Sequence, residues 1–132
     1  MSSFPSFTAT PQIDIAQVTT ANTARDGTGT IVAVITGAAS PNFVKPEAIA
    51  VKAIATSLDG AVRFFISSDA GVTWRLLHEM DVTAITVGAS TSAFEDIWYC
   101  PDDLVLPSAS YKIGASTEKT ETFNLIAMSG KF

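Results

Sequence analysis

At 132 residues the chain is read as a single domain, long enough to bury a core of its own. Hydrophobic residues make up 47% and charged residues only 16%, where an ordinary domain has ~25% charged, so apolar surface is expected to be hidden against neighbours as well as inside. The net charge is −5, and six acids with no Lys or Arg lie between Leu76 and Tyr111, which argues against a nucleic-acid groove or an anionic membrane surface.

Residues 1–20 read as an extended arm. Asp14 is their only charge, and Pro5 and Pro11 forbid a continuous helix. Phe4, Phe7, Ile13, Ile15 and Val18 supply apolar side chains, whereas a free tail is normally polar. Such an arm is expected to lie on a surface: its own domain, a sister subunit or a different protein. The simpler option is an edge strand from Ile13 to Val18, with Ile13 and Ile15 on one face. The start of the chain has no basic and apolar leader, and no run approaches ~18 apolar residues, so neither a secretory signal nor a membrane span is expected.

The domain proper is expected over residues 21–132. Asp26–Gly27–Thr28–Gly29 reads as a tight entry into a strand; a phosphate cradle would need a lysine and a following helix. Thr30 to Thr36 is a β-branched strand. Ala48 to Ala55 alternates and is closed by the turn Ser57–Leu58–Asp59–Gly60. Val62 to Ile66 and Trp74 to Met80 then flank a short Ser/Asp/Gly turn, a β-hairpin at the centre of the sheet core. On its second arm Trp74, Leu76, His78 and Met80 are expected to share one face.

That turn resembles the Asp-box, Ser-x-Asp-x-Gly-x-Thr-Trp, of sialidase-type β-propellers, on Ser67, Asp69, Gly71, Thr73 and Trp74. The Asp69 carboxylate is suited to accept turn N–H groups, Gly71 to take positive φ, and Trp74 to pack beneath. A propeller repeats the motif in blades of ~40–50 residues, more chain than is present, so the motif reads as a structural hairpin.

Beyond Val82 a loop or weak strand is expected around Ile85–Val87. A strand follows from Ala93 to Cys100, then a short edge segment Leu104–Leu106 stopped by Pro107. Tyr111 to Ser116 alternates, Glu118–Lys119–Thr120–Glu121 reads as a charged hairpin loop, and Thr122 to Ser129 is the last strand. There Phe123, Leu125 and Ala127 face one way and Asn124, Ile126 and Met128 the other. The fold class is all-β: an antiparallel β-sandwich or jelly roll of about eight strands with an extended N-terminal arm. Phe64, Ile66, Trp74, Leu76, Ile113, Phe123 and Leu125 are the expected core.

Catalytic chemistry is not expected. His78 is the only histidine and Cys100 the only cysteine, in separate segments, so a histidine-built metal site and an internal disulfide are excluded. A Cys100–His78 nucleophile pair has nothing to bring it together. Glu95–Asp96 would point to opposite faces of a strand, and Asp102–Asp103 sit in a Pro-led turn, so neither is a glycosidase pair or a strong calcium loop. No cofactor is expected.

Residues 21–132 resemble small β-sandwich proteins encoded among the structural genes of tailed phages and prophages. Ala21–Asn22–Thr23–Ala24–Arg25–Asp26–Gly27–Thr28–Gly29, Trp74–Arg75–Leu76–Leu77, Leu104–Val105–Leu106–Pro107 and the closing Ala115–Ser116–Thr117 to Glu121–Thr122–Phe123–Asn124 segment carry the resemblance by their order and spacing. It implies a capsid decoration, or cement, protein that binds the outside of an icosahedral head and stabilises it. Its partners would be the major capsid protein and copies of itself, a homotrimer before a homodimer. Its place would be the virion exterior, after assembly in the host cytoplasm. The competing class is a carbohydrate- or receptor-binding module of a phage tail or fibre, which needs an exposed aromatic platform, Trp98 and Tyr99 being the candidates.

Overall fold

The computed structural model describes residues 10–132. Eight strands follow in order: β1 (Thr10–Val18), β2 (Val32–Thr36), β3 (Val44–Ala53), β4 (Gly60–Ser67), β5 (Arg75–Val82), β6 (Glu95–Tyr99), β7 (Lys112–Thr117) and β8 (Phe123–Lys131). They form two four-stranded sheets, the first in order β1-β8-β3-β6 and the second β2-β7-β4-β5. Every ladder is antiparallel. Strand β1 pairs with β8, β2 with β7, β3 with β6 and β4 with β5, so the chain is one long hairpin rolled up from its β4–β5 tip. Only the β4–β5 turn stays within a sheet; every other connection between consecutive strands crosses from one sheet to the other. This is a jelly roll.

The core lies between the sheets and follows the period-2 rule. Val62 and Phe64 of β4 and Ile113 and Ala115 of β7 meet Ile49 and Val51 of β3 and Phe123, Leu125 and Ala127 of β8. Phe94 closes on Phe123 edge-to-face at 6.2 Å. Four of the expected core residues, Phe64, Ile113, Phe123 and Leu125, are fully buried, and Ile66 is half-buried.

Leu76 is not core: it is 38% exposed. The β4–β5 register shifts between Phe64, which faces His78, and Phe65, which faces Leu76, so Leu77 is an extra residue. A bulge of this kind breaks the alternation. Trp74 and Leu76 therefore fall on the outer side with Phe65, while His78 stacks on Phe64 in the interior. Two further expectations are corrected. Residues 118–121 link β7 in one sheet to β8 in the other and are a crossover, not a hairpin. Leu106 makes an isolated bridge to Val44 instead of an edge strand, while around Ile85 the loop alternative holds, with a single bridge to Ser57. And the edge-strand option holds for residues 10–18, which pair with β8 along their whole length and so belong to the sandwich.

The second sheet carries another layer on its outside. Asn22 shapes the segment that supplies it, donating from Nδ2 to the carbonyls of Thr28 (2.9 Å) and Thr30 (3.0 Å) and accepting the Ala24 N–H at Oδ1 (3.0 Å). Ile31 and Trp74 then close over Gly114, where an added Cβ would come within 2.7 Å of Ile31 and 2.8 Å of Trp74. Arg63, almost completely buried, donates to Glu79 (2.9 Å) and Glu118 (3.0 Å), and Arg25 reaches the same Glu79 oxygen at 2.7 Å. The hydrogen bonds from Arg25 and Arg63 hold the Glu79 carboxyl below the usual carboxylate range.

Gly27 marks how tightly this layer is seated. It adopts φ +90°, and a Cβ there would overlap the backbone carbonyl of Trp74. Backbone cannot swing aside as a side chain can. Gly27→Ala is expected to lower stability by at least ~1–3 kcal/mol from the strained φ alone. An unchanged urea midpoint would show that the layer contributes nothing to the fold.

Candidate functional site

Among the described residues the first sheet has no such cover, and its outer face is apolar. Register gives that face directly. Ile15 of β1 pairs with Ile126 of β8, Ile126 with Ala50 of β3, and Ala50 with Ile97 of β6. One step along, Ile13 pairs with Met128, Met128 with Ala48, and Ala48 with Tyr99. Two apolar rows thus cross the full width of the sheet. The next row, Gln17, Asn124, Lys52 and Glu95, is polar. Gln17 donates to Asn124 at 2.9 Å, and Lys52 donates to the Ala93 carbonyl at 3.1 Å. A shallow depression of about 530 Å³ lies where Ala50, Ile97 and Ile126 meet Lys52 and Glu95.

Strand β1 supplies the least expected part. A sandwich strand normally turns apolar side chains inward and polar ones out. Here Ile13 and Ile15 are 62% and 75% exposed, while Gln12, Asp14 and Ala16 take the inward parity that ends in buried Val18. Burial pushes the Asp14 carboxyl up. The register with β8 is continuous from Val18 to Thr10, so seating Val18 in the core forces the isoleucines to the surface.

Of the residues assigned to an assembly arm, Ile13 and Ile15 therefore sit together on the bare face, and Val18 anchors the strand in the core. Phe4 and Phe7 lie outside the described residues. Ile126, Met128, Ile97 and Tyr99 complete the face. The alternation of residues 122–129 already separated Ile126 and Met128 from the core set; what it lacked was the neighbouring strand beside them. Trp98 and Tyr99 point opposite ways, Trp98 buried and Tyr99 73% exposed, so they form no joint platform.

The Asp-box-like turn is built as its residue types suggest. Asp69 Oδ1 accepts the Ser67 hydroxyl (2.7 Å) and the Thr73 N–H (2.8 Å), and Ser67 Oγ accepts the Gly71 N–H (2.9 Å). Gly71 has φ 89°, and the Trp74 ring lies directly beneath it. The Thr73 backbone bond, then the Ser67 hydroxyl, lower the Asp69 carboxyl from its ordinary 3.8 to about 2. A depressed carboxyl stabilises the fold above its ordinary value, and that stability is lost as pH falls through about 2. Asp69→Asn is expected to be less stable than the parent at neutral pH, with the gap narrowing through acid unfolding titrations below 3.8. A gap that stays constant with pH would place the carboxylate outside the stability of the turn.

The His78 ring stacks on Trp98 at 4.7 Å and 5° and on Phe64 at 6.1 Å. Burial, then the nearby Glu47 carboxylate, push the Cys100 thiol up to about 11, which disfavours the thiolate a nucleophile needs. Among the described residues no group of three or more His, Cys, Asp or Glu is placed to hold a metal ion.

No family model matches the chain, and no curated protein matches it. A chain in the structure of infectious bursal disease virus, Gt strain, is similar over 98% of the present chain and 35% of its own length, at 12% identity and a TM-score of 0.39. A likeness so distant carries no argument about this chain.

Proposed function

We propose that the chain is a structural accessory protein of a tailed-phage head, a decoration protein that seats on the outer surface of an icosahedral shell through the outer face of its first sheet. One observation carries the reading: β1 turns two isoleucines outward into apolar rows that span the sheet, while the second sheet covers its own outer face. An uncovered apolar face with a polar margin is the signature of a protein contact. The sequence resemblance to phage-head β-sandwich proteins supports the shell as partner. The jelly roll agrees by analogy only, since the same architecture serves viral capsids, lectins and cupins.

Size bears on oligomerisation. Four strands at ~4.8 Å spacing and two rows of side chains make a patch of roughly 200–300 Å², against ~800 Å² per partner in a standard interface. A single copy would hold weakly. A symmetric oligomer, a homotrimer on local threefold sites before a homodimer, would multiply the contact and gain avidity. The protein is proposed to have no catalytic role, and no cofactor is assigned to it.

The test is addition of purified protein to heads assembled without it, followed by sedimentation. Binding should saturate at a fixed ratio to the shell protein. Unsaturable or absent binding would end the reading. A carbohydrate- or receptor-binding module is less favoured, because Trp98 is spent in the core and leaves Tyr99 alone on the surface.

A further inference from the structure

We propose that the recess beside the Ser67–Thr73 turn binds a single acidic sugar, a pyranose carrying a carboxylate. The recess has a volume of about 260 Å³ and is walled by Ile66, Ser68, Asp69, Thr73, Arg75 and Tyr111. That is just under the ~300 Å³ at which sites for drug-sized ligands begin, room for one sugar ring.

The walls call for two kinds of group at once. Arg25, Lys45, Lys52, Arg63 and Lys119 each have a carboxylate within ion-pair distance, whereas Arg75 has none among the described residues. Its guanidinium is a free fork for a carboxylate. Lys112, also without an ion pair among the described residues, runs its side chain past Gly71 of the same turn. Asp69 asks for the opposite. Its Oδ1 accepts from Ser67 and Thr73 and the Thr73 side chain also lies against the carboxylate, whose remaining lone-pair capacity suits one further hydroxyl. A simple anion would satisfy Arg75 and be repelled by Asp69. A neutral sugar would satisfy Asp69 and leave Arg75 unused. A sugar acid meets both, and Tyr111 and Ile66 give its C–H face an apolar wall.

The two sides of the recess are tied together before any ligand arrives. The Ala70 N–H donates to the Ser110 carbonyl at 2.8 Å, joining the turn to the segment that carries Tyr111. The Tyr111 N–H donates to the Ser108 carbonyl (3.1 Å) and its carbonyl accepts the Gly37 N–H (2.9 Å). Little ordering is left for binding to cost. The walls belong to β4, the β4–β5 turn, β5 and the segment before β7, none of them in the first sheet, so this site is independent of the proposed shell contact and both can be filled at once.

The experiment is a titration of the full isotope-labelled chain, followed by amide NMR, with glucuronate, glucose and acetate as separate probes. Glucuronate should shift the amides of Ser68, Gly71, Thr73, Arg75 and Tyr111 saturably, in the low millimolar range. Glucose and acetate should each bind about tenfold more weakly or worse, and Arg75→Gln should weaken glucuronate by about tenfold with the rest of the spectrum unmoved. No saturable shift at these amides with glucuronate overturns the site. Acetate binding as tightly as glucuronate overturns the sugar, glucose binding as tightly overturns the acid, and undiminished binding by Arg75→Gln overturns the role of Arg75.

Discussion

A variant carrying both Ile15→Lys and Tyr99→Lys is expected to fold as the parent does and to leave heads undecorated. Both side chains stand in solvent, at 75% and 73% exposure, and they lie on the two outer strands of the first sheet, in adjacent rows. Exposed substitutions of this kind usually change stability by no more than ~0.5 kcal/mol each. At a contact the same lysines must lose their water without a partner arranged to receive them. Like-charge or unpaired juxtapositions of this sort cost several kcal/mol, so affinity should fall by at least ~100-fold for each molecule. Avidity would magnify the loss on a shell. Undiminished decoration by a folded double variant would remove this face from the contact. As a control, Val72→Lys, on the equally exposed turn between β4 and β5, should decorate normally.

Trp74→Ala is expected to cost ~3–5 kcal/mol, the usual range for deleting a buried large aromatic. For a domain of this size that corresponds to a fall of roughly 10–20 °C in Tm. The ring is 9% exposed and is shared by two structures. It packs beneath Gly71 in the Asp-box-like turn, and with Ile31 it closes over Gly114 on the outside of the second sheet. Its loss should therefore loosen both the turn and the covering segment that Arg25 and Asn22 hold in place. Thermal unfolding of the variant beside the parent reads the effect directly. A Tm within a few degrees of the parent would mean that the layer outside the second sheet collapses onto the gap, or was never a source of stability.

The fold was legible wherever alternation of side chains decides the matter. Strands β7 and β8 show it, and Phe123, Leu125 and Ala127 point inward as their spacing requires, whereas β2 was legible from its β-branched residues and carries a bulge between Ala33 and Ile35. Two kinds of feature were not legible. The first is local: one extra residue at Leu77 reverses the faces of Trp74 and Leu76, and a bulge leaves no mark in hydrophobic pattern. The second is non-local. Glu118 to Glu121 has the composition of a hairpin loop, but whether it joins neighbours or crosses between sheets depends on partners far away in the chain. The buried Arg63 is of the same kind, since Glu79 and Glu118 that receive it come from different strands and loops. The candidate face was half visible. Ile13 and Ile15 stood out as apolar residues in a segment with one charge. That they face outward follows only once Val18 is seated in the core and β8 is laid beside β1, which also brings Ile126 and Met128 into the same rows.

Hydroxyl-radical footprinting of the protein free and bound to heads tests the central claim most directly, because it reads individual side chains. Binding through the outer face of the first sheet should protect Tyr99, Met128, Ile13, Ile15 and Ile126 together. Val72 and Leu58, 82% and 56% exposed and outside that face, should react as they do in the free protein. Protection of Val72 or Leu58, with Tyr99 and Ile15 as reactive as before, would contradict the account.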